Sequence, residues 1–191
     1  MNHRIKNNLS LMSSFINLKD SDVGGCCDLS DLKNQVQAIE KIHATFQTRE
    51  EITHVAFKPY ISEVLSNVFE ASGGNPVNTR IEIPDFSVRT NVAVTIGLMI
   101  NETATNAFKH GFRTADDARF TVTLDESVDA DDYILTVSNN GTSLPEEFDI
   151  KGSESLGMTI INALVSQLRG ELSVHREQAT AFAIRFPKTV V

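Results

Sequence analysis

The chain has 191 residues, of which 41% are hydrophobic and 22% charged, the composition of an ordinary globular protein. Its formal net charge of -8 argues against nucleic-acid binding, which needs a basic surface, but not against binding a nucleotide with a metal ion. No apolar run approaches the ~18 residues of a membrane span, and no signal peptide is visible. Cys26 and Cys27 are too few for a disulfide framework or a zinc site, so we expect reduced thiols and a cytoplasmic chain.

Residues 1–52 are predicted to form an antiparallel helical hairpin. Apolar residues recur at steps averaging about 3.5, the spacing of a narrow coiled-coil seam. They are Ile5, Leu9, Met12 and Ile16, then Leu29, Leu32, Val36, Ile39 and Phe46, with Ile42 or His43 between the last two. Gly24-Gly25 marks the turn between the two helices. Because two helices cannot bury both seams, we expect a homodimer that forms a four-helix bundle.

Residues 53–191 are predicted to form a separate α/β domain. The first expected elements are a strand or linker His54–Phe57, a helix from Pro59 to about Ser72, a strand Arg80–Ile83, and a helix from Asn91 to about His110 that is capped by Thr90. They are followed by strands Arg119–Leu124 and Tyr133–Ser138, a loop Asn139–Ser155, a helix Leu156–Leu168, and a hairpin of Glu171–His175 and Ala181–Phe186. This α+β order indicates a mixed sheet covered by helices on one face.

A histidine close to the amino end is the first candidate for chemistry. On a helix, His3 shares a face with Asn7 and Ser10, away from the apolar seam. A lone exposed histidine is most often only solvated. A neutral imidazole, however, with an unperturbed pKa of about 6.5, can attack phosphorus at pH 7. His3 is therefore either a solvated side chain or a nucleophile.

The helix Asn91–His110 carries the second candidate. Glu102, Asn106 and either Lys109 or His110 follow at helical spacing and are expected to share one face. The amide oxygen of Asn106 suits Mg²⁺, Lys109 suits phosphate oxygens, and Glu102 suits a metal-bound water or a proton. The alternative is a solvated helix face.

Two further segments are rich in small residues. Asn139–Pro145 follows a strand and either forms a turn or presents an acceptor to an adenine amino group. Gly152–Met158 leads into a helix, whose first N–H groups favour phosphate, although Ser155 is also a plausible N-cap. The last strand, near Thr180, shows the alternation of a half-buried strand and indicates nothing more by itself.

The order and spacing of these motifs resemble a two-component sensor histidine kinase over nearly the whole chain. His3–Leu9 is similar to the H-R-x-K-N-N-L phosphoacceptor box, and Gln37–His43 resembles the second hairpin helix. The remaining matches are to an ATP-binding domain of the Bergerat (GHKL) type. They are Glu102–His110 (E-L-x-x-N-A-x-K-H), Asn139–Pro145 (D-N-G-x-G-L-P), Ser155–Met158 (S/T-L-G-L/M), and Thr180 with Phe182 (G-T-x-F).

The resemblance implies the fold, the reaction and the partners. The chain is expected to phosphorylate its own His3 with Mg-ATP, with Asn7 and Glu102 as further catalytic residues. It is then expected to transfer the phosphoryl group to an aspartate on a response-regulator receiver domain. Asn106 is the implied Mg²⁺ ligand. The implied nucleotide-binding residues are Asn106, Lys109, His110, Asn139, Gly141, Ser155, Leu156, Gly157, Met158 and Thr180, with Thr142–Ser155 as a short lid. Since only two residues precede His3, a sensor domain is expected upstream.

Three departures from the family pattern leave other functions open. Asn139 stands where the family has an aspartate whose carboxylate takes the adenine amino hydrogen, and Ser143 and Ala179 stand where it has glycines. Loss of the charge at Asn139 is expected to weaken ATP binding by about five- to tenfold. The alternatives are a phosphotransferase or pseudokinase scaffold that binds no ATP, and a GHKL serine kinase, which would not need the hairpin.

Overall fold

The computed structural model describes residues 53–71, 76–112, 117–128, 131–144, 156–176 and 180–191. The hairpin predicted over residues 1–52, with His3 and Asn7, lies outside these ranges. In the described part of the chain, no helix combines the length and the apolar character needed to cross a membrane.

Strands, singly or in consecutive pairs, are interleaved with helices through this part of the chain. The elements are β1 (His54–Ala56), α1 (Phe57–Ala71), β2 (Asn78–Glu82), β3 (Ser87–Arg89), α2 (Thr90–Asn106), a π-helix (Ala107–Gly111), β4 (Arg119–Glu126), β5 (Asp132–Asn139), α3 (Leu156–Gln167), β6 (Glu171–His175), β7 (Thr180–Pro187) and a 3₁₀ turn (Lys188–Val190).

Five strands form a mixed sheet in the order β2-β4-β5-β7-β6. Strands β2 and β4 are parallel and are joined through α2, because parallel neighbours need a long crossover. The other pairs are antiparallel, and β6 and β7 form the predicted hairpin. Strands β1 and β3 pair separately as a small antiparallel sheet.

One face of the five-stranded sheet carries the core. Val122, Val137 and Phe182 lie side by side on neighbouring strands, and all three are buried. The next residue on each strand is only half-buried, as alternation requires when one face is covered. The prediction of a mixed sheet with helices on one face is therefore confirmed.

Helices α1 and α2 approach closely at one point. A Cβ atom on Gly97 would lie 2.9 Å from Cζ of Tyr60, so only glycine allows this ring to pack against α2. Burial of the Tyr60 side chain raises the pKa of its hydroxyl, and the charge of Glu63 raises it further. The neutral phenol is therefore the form that the fold stabilises.

The structure corrects three local predictions. Helix α1 begins at Phe57, two residues before Pro59, which instead lies in the first turn where a missing N–H is harmless. Thr90 is the first residue of α2 and not its cap, since the cap position is Arg89 and has no side-chain capping bond. Strand β3 was not predicted, because in three residues only Val88 is buried and no alternation can be recognised.

Candidate functional site

The carboxyl-terminal part of α2 brings a carboxylate into the interior. Glu102 and Asn106 are four residues apart and so lie on successive turns of one face. Glu102 is only 7% exposed, and Asn106 is half-buried. A solvated face is therefore wrong for Glu102. Since Leu98 and Ile100 are buried too, α2 is enclosed on nearly all sides.

A π-helix follows α2 directly and changes the predicted spacing. It spans Ala107–Gly111, where the turn is wider than in an α-helix. The side chains of Lys109 and His110 are exposed in this segment. The regular steps of seven and eight residues that were expected to align them with Glu102 therefore do not hold. Instead, the wider turn carries the backbone to Gly111, which is buried.

Gly111 and Gly141 bring two distant segments into backbone contact. A Cβ atom on Gly141 would lie 2.5 Å from both C and O of Gly111 and 2.7 Å from its Cα. The backbone N–H of Thr142 donates a hydrogen bond to the carbonyl oxygen of Gly111, at 3.0 Å. Gly141 was a predicted site residue, but Gly111 was not. The sequence could have indicated Gly111, because a glycine directly after a predicted helix marks the helix end or a close backbone approach.

Asn139 is the last residue of β5 and lies against the same contact. It is 9% exposed, and its Oδ1 accepts a hydrogen bond from the backbone N–H of Gly141 at 3.0 Å. A Cβ atom on Gly111 would come within 3.1 Å of that oxygen. The side chain of Asn139 thus forms the predicted turn and faces the end of the π-helix, and its role toward a purine base stays a prediction.

Asn140 holds the other side of the turn. Its Oδ1 accepts from the backbone N–H of Arg119 at 2.7 Å, and its Nδ2 donates to the carbonyl of Asp117 at 2.7 Å. Both bonds tie the turn after β5 to the start of β4. The sequence indicated a turn here but not the partners of the Asn140 side chain, because both of them lie about twenty residues away.

Thr180 lies beside Asn139 in the sheet and completes this corner. The two residues are directly paired between β5 and β7, and Thr180 is 4% exposed. The Oγ1 of Thr180 accepts a hydrogen bond from the N–H of Leu144 at 3.2 Å. Two motifs separated by about forty residues therefore meet at one end of the sheet.

The start of α3 meets the polar end of α2. A Cβ atom on Gly157 would lie 3.4 Å from Oε2 of Glu102 and 3.5 Å from Nδ2 of Asn106. Gly157, in the first turn of α3, therefore lies beside both polar side chains and has no side chain of its own to separate them. Met158, the next residue, is buried in the core. Ser155, Ala179 and the side chain of Leu156 lie outside the described positions, as does most of the predicted lid.

This arrangement can hold an anion together with a hard cation. The N–H groups in the first turn of a helix attract phosphate, and Asn106 and Glu102 offer the oxygen ligands that Mg²⁺ prefers. In the described ranges, no group of three His, Cys, Asp or Glu side chains could hold a metal by itself. Glu102 and Asn106 together offer a carboxylate and an amide oxygen, and Mg²⁺ typically takes one or two protein oxygens and completes its shell with phosphates and water.

Two family profiles match the chain. The profile described as histidine kinase matches residues 1–72. The profile described as histidine kinase-, DNA gyrase B- and HSP90-like ATPase matches residues 91–190, which contain α2, the π-helix, Asn139, Gly157 and Thr180.

Two curated proteins that are similar to this chain are named as histidine kinases. The chain is 28% identical to blue-light-activated histidine kinase 2 of Erythrobacter litoralis over 91% of its own length and 51% of that protein. It is 28% identical to the sensor histidine kinase PdtaS of Mycobacterium tuberculosis over 98% of its length and 38% of that protein. The chain thus spans about half, or less, of these relatives.

The fold is similar to a solved histidine kinase domain from the Erythrobacter litoralis EL346 blue-light activated histidine kinase. The TM-score is 0.74 at 23% identity, with 98% of this chain and 87% of that domain covered. At this identity the likeness establishes the fold alone.

Proposed function

Because the chain belongs to the histidine kinase-, DNA gyrase B- and HSP90-like ATPase family, as part of a histidine kinase core, we propose that it phosphorylates its own His3 with Mg-ATP. The phosphoryl group then passes to an aspartate on the receiver domain of a response regulator. The chain acts as a homodimer, with a sensor domain upstream that sets its activity. The cytoplasmic location expected from the paired cysteines remains a prediction.

The observation that supports this proposal most is the contact between α2 and α3. Glu102 and Asn106 lie within 3.5 Å of the position that a Cβ on Gly157 would take. These residues belong to two motifs about fifty positions apart, and each was selected from the sequence for phosphate or metal chemistry. Their contact places a carboxylate oxygen of Glu102 and the amide nitrogen of Asn106 beside the first turn of α3, whose N–H groups favour phosphate.

The phosphoryl transfer itself needs little from the protein beyond position and charge. A nitrogen of the neutral His3 imidazole attacks the γ-phosphorus, a nitrogen–phosphorus bond forms, and the bond from that phosphorus to the β,γ-bridging oxygen breaks. ADP leaves, and the imidazole proton passes to solvent or to a nearby base. We propose that Glu102 is that base, because a carboxylate can accept a proton, and that Asn7 orients His3.

The other site residues bind and orient the nucleotide. Asn106 would hold Mg²⁺ through its amide oxygen, and the ion would neutralise phosphate charge when bound. Lys109 and His110, exposed on the π-helix, offer cations or donors to the phosphates. Asn139 and Thr180 are buried at the end of the sheet and face the base.

Labelling with [γ-³²P]ATP tests the proposal. The chain incubated with Mg²⁺ should acquire label that is stable to alkali and lost in acid, as a phosphoramidate is. His3→Ala should abolish it, and Asn106→Ala should reduce it at least tenfold. The matched control is His54→Ala, since this exposed histidine lies in β1 and contacts only Thr53 through a side-chain hydrogen bond in the described region.

Label that persists in His3→Ala would contradict the assignment of the nucleophile. A scaffold without nucleotide binding gives a different result, namely no label and no rise in the melting temperature at millimolar Mg-ATP. A rise in melting temperature without label in the intact chain would support a nucleotide-binding domain whose acceptor lies on another protein, as in the serine kinase alternative.

A further inference from the structure

We propose that Asn139 allows this site to accept a 6-oxopurine base, guanine or hypoxanthine, as well as adenine. The inference rests on the proposed function, in which a purine nucleoside triphosphate lies with its base against Asn139. At Asn139 the family has an aspartate, which only accepts hydrogen bonds, whereas an asparagine side chain also donates them. Adenine and the 6-oxopurines differ at carbon 6, where one carries an amino donor and the other a carbonyl acceptor.

The side-chain amide of Asn139 has its orientation determined by the turn. The backbone N–H of Gly141 lies 3.0 Å from Oδ1 and can only donate. If the amide were flipped, Nδ2 would face that N–H and two donors would meet. One lone pair of this oxygen is therefore engaged by the turn, and the backbone of Gly111 packs close to the same oxygen. The NH₂ group of Asn139 is accordingly the part of the amide assigned to the ligand.

That NH₂ group has no protein acceptor in the described region. Asn139 makes a single side-chain hydrogen bond within the described ranges, the one to Gly141. The residue is more than nine-tenths buried, with 9% of its surface exposed. The fully buried side-chain atoms that lack a partner in the described region do not include Nδ2 of Asn139, so this NH₂ group is accessible at the end of the sheet. A ligand that brings an acceptor to this position can therefore bind it.

Adenine and the 6-oxopurines differ in whether they can accept a hydrogen bond from Nδ2 of Asn139. The O6 carbonyl of guanine or hypoxanthine accepts a hydrogen bond from Nδ2, whereas the adenine amino group would meet it donor to donor. An aspartate at this position would behave in the opposite way. One of its oxygens would accept from Gly141, and the second would accept from the adenine amino group. Asn139→Asp therefore restores the adenine preference without changing the side-chain shape.

Thr180 is compatible with either base. Its hydroxyl lies beside Asn139 in the sheet and already accepts the N–H of Leu144 at 3.2 Å, but its own proton remains available to donate. Because this donor can rotate, it does not discriminate at carbon 6. Selectivity between the purines therefore depends on Asn139.

Equilibrium binding of three nucleotides to the full chain tests the inference. ATP, ITP and GTP, each with Mg²⁺, are titrated by calorimetry into the wild type and into Asn139→Asp. ITP isolates carbon 6 and its neighbouring nitrogen, and GTP adds the 2-amino group. The matched control is Asn91→Asp, which adds the same charge at an exposed residue about four turns of α2 away from Asn106.

We expect the wild type to bind ITP at least as tightly as ATP, and Asn139→Asp to shift the ITP-to-ATP affinity ratio toward ATP by about tenfold or more. Asn91→Asp should keep the wild-type ratio. A GTP affinity similar to that of ITP identifies guanine as an accepted base, and weaker GTP binding confines the inference to bases without a 2-amino group.

A wild type that prefers ATP to ITP by tenfold would overturn the inference, and this comparison needs no variant to fold. An unchanged ratio in a folded Asn139→Asp would overturn it as well. If neither protein binds any of the three nucleotides, the proposed function itself fails. ATP-driven labelling of His3 together with a strong preference for ATP would retain the proposed function and reject only the role of Asn139.

Discussion

Replacing Gly141 by alanine tests whether the glycine–glycine contact holds the site together. The added methyl group would lie 2.5 Å from C and O of Gly111, about 1 Å inside an ordinary contact. Both neighbours are backbone atoms, which cannot move aside as a flexible side chain can. The turn after β5 must therefore separate from the end of the π-helix.

The expected cost follows from what that separation breaks. Loss of the 3.0 Å hydrogen bond from Thr142 to Gly111 removes about 1 kcal/mol, and relief of the overlap by shifts of packed backbone costs about 1–3 kcal/mol. We therefore predict that Gly141→Ala lowers the free energy of unfolding by about 2–4 kcal/mol. Since Asn139 accepts the N–H of Gly141, nucleotide binding should weaken as well.

Urea unfolding followed by circular dichroism measures the change, with the slope of free energy against urea compared between variant and wild type. Ser143→Ala is a suitable control, because this exposed residue belongs to the same turn and its truncation creates no overlap. If Gly141→Ala unfolds within about 0.5 kcal/mol of the wild type, the close contact does not contribute to stability and the geometric argument is wrong.

Two further predictions separate binding from stability. Gly157→Ala should keep or raise the unfolding free energy, because its methyl would sit at ordinary distances of 3.4 and 3.5 Å and alanine favours a helix, but it should weaken Mg-ATP binding about tenfold by placing a methyl beside Glu102 and Asn106; equal affinity in calorimetry would contradict this. Because burial raises the folded-state pKa of Tyr60 above its unfolded value of about 10, its contribution to stability is complete below pH 10 and falls as pH rises further. Tyr60→Phe should flatten the dependence of unfolding free energy on pH between about 10 and 11, and an unchanged slope would count against the burial argument.

The regular elements were predictable because each carries its own periodicity. The hairpin of β6 and β7 and the helix beginning at Leu156 match the prediction closely, since alternation and helical spacing are local properties. The three-residue strand β3 was missed because it is too short for a pattern. The π-helix was missed because its wider turn arises where α2 meets Gly111 and Gly141, a contact that no local signal reveals.

The candidate site was predictable as a set of residue types but not as a geometry. Glu102 was a candidate for metal or proton chemistry, with a solvated helix face as the alternative, and the spacing alone could not decide between them. Its burial, beside Gly157 of α3, is a property of the packing. The position of Gly157 beside Glu102 likewise depends on how α3 packs against α2, which local sequence does not determine. Asn139 was identified as a departure, but the engagement of its oxygen by Gly141 required the coordinates.

The most direct measurement of the central claim is ³¹P nuclear magnetic resonance of the chain during turnover with Mg-ATP. We predict a phosphohistidine resonance that appears in the wild type, is absent in His3→Ala, and is strongly reduced in a folded Asn106→Ala. A resonance of equal intensity in Asn106→Ala, or its survival in His3→Ala, would contradict the account in which a nucleotide bound beside Asn106 phosphorylates His3.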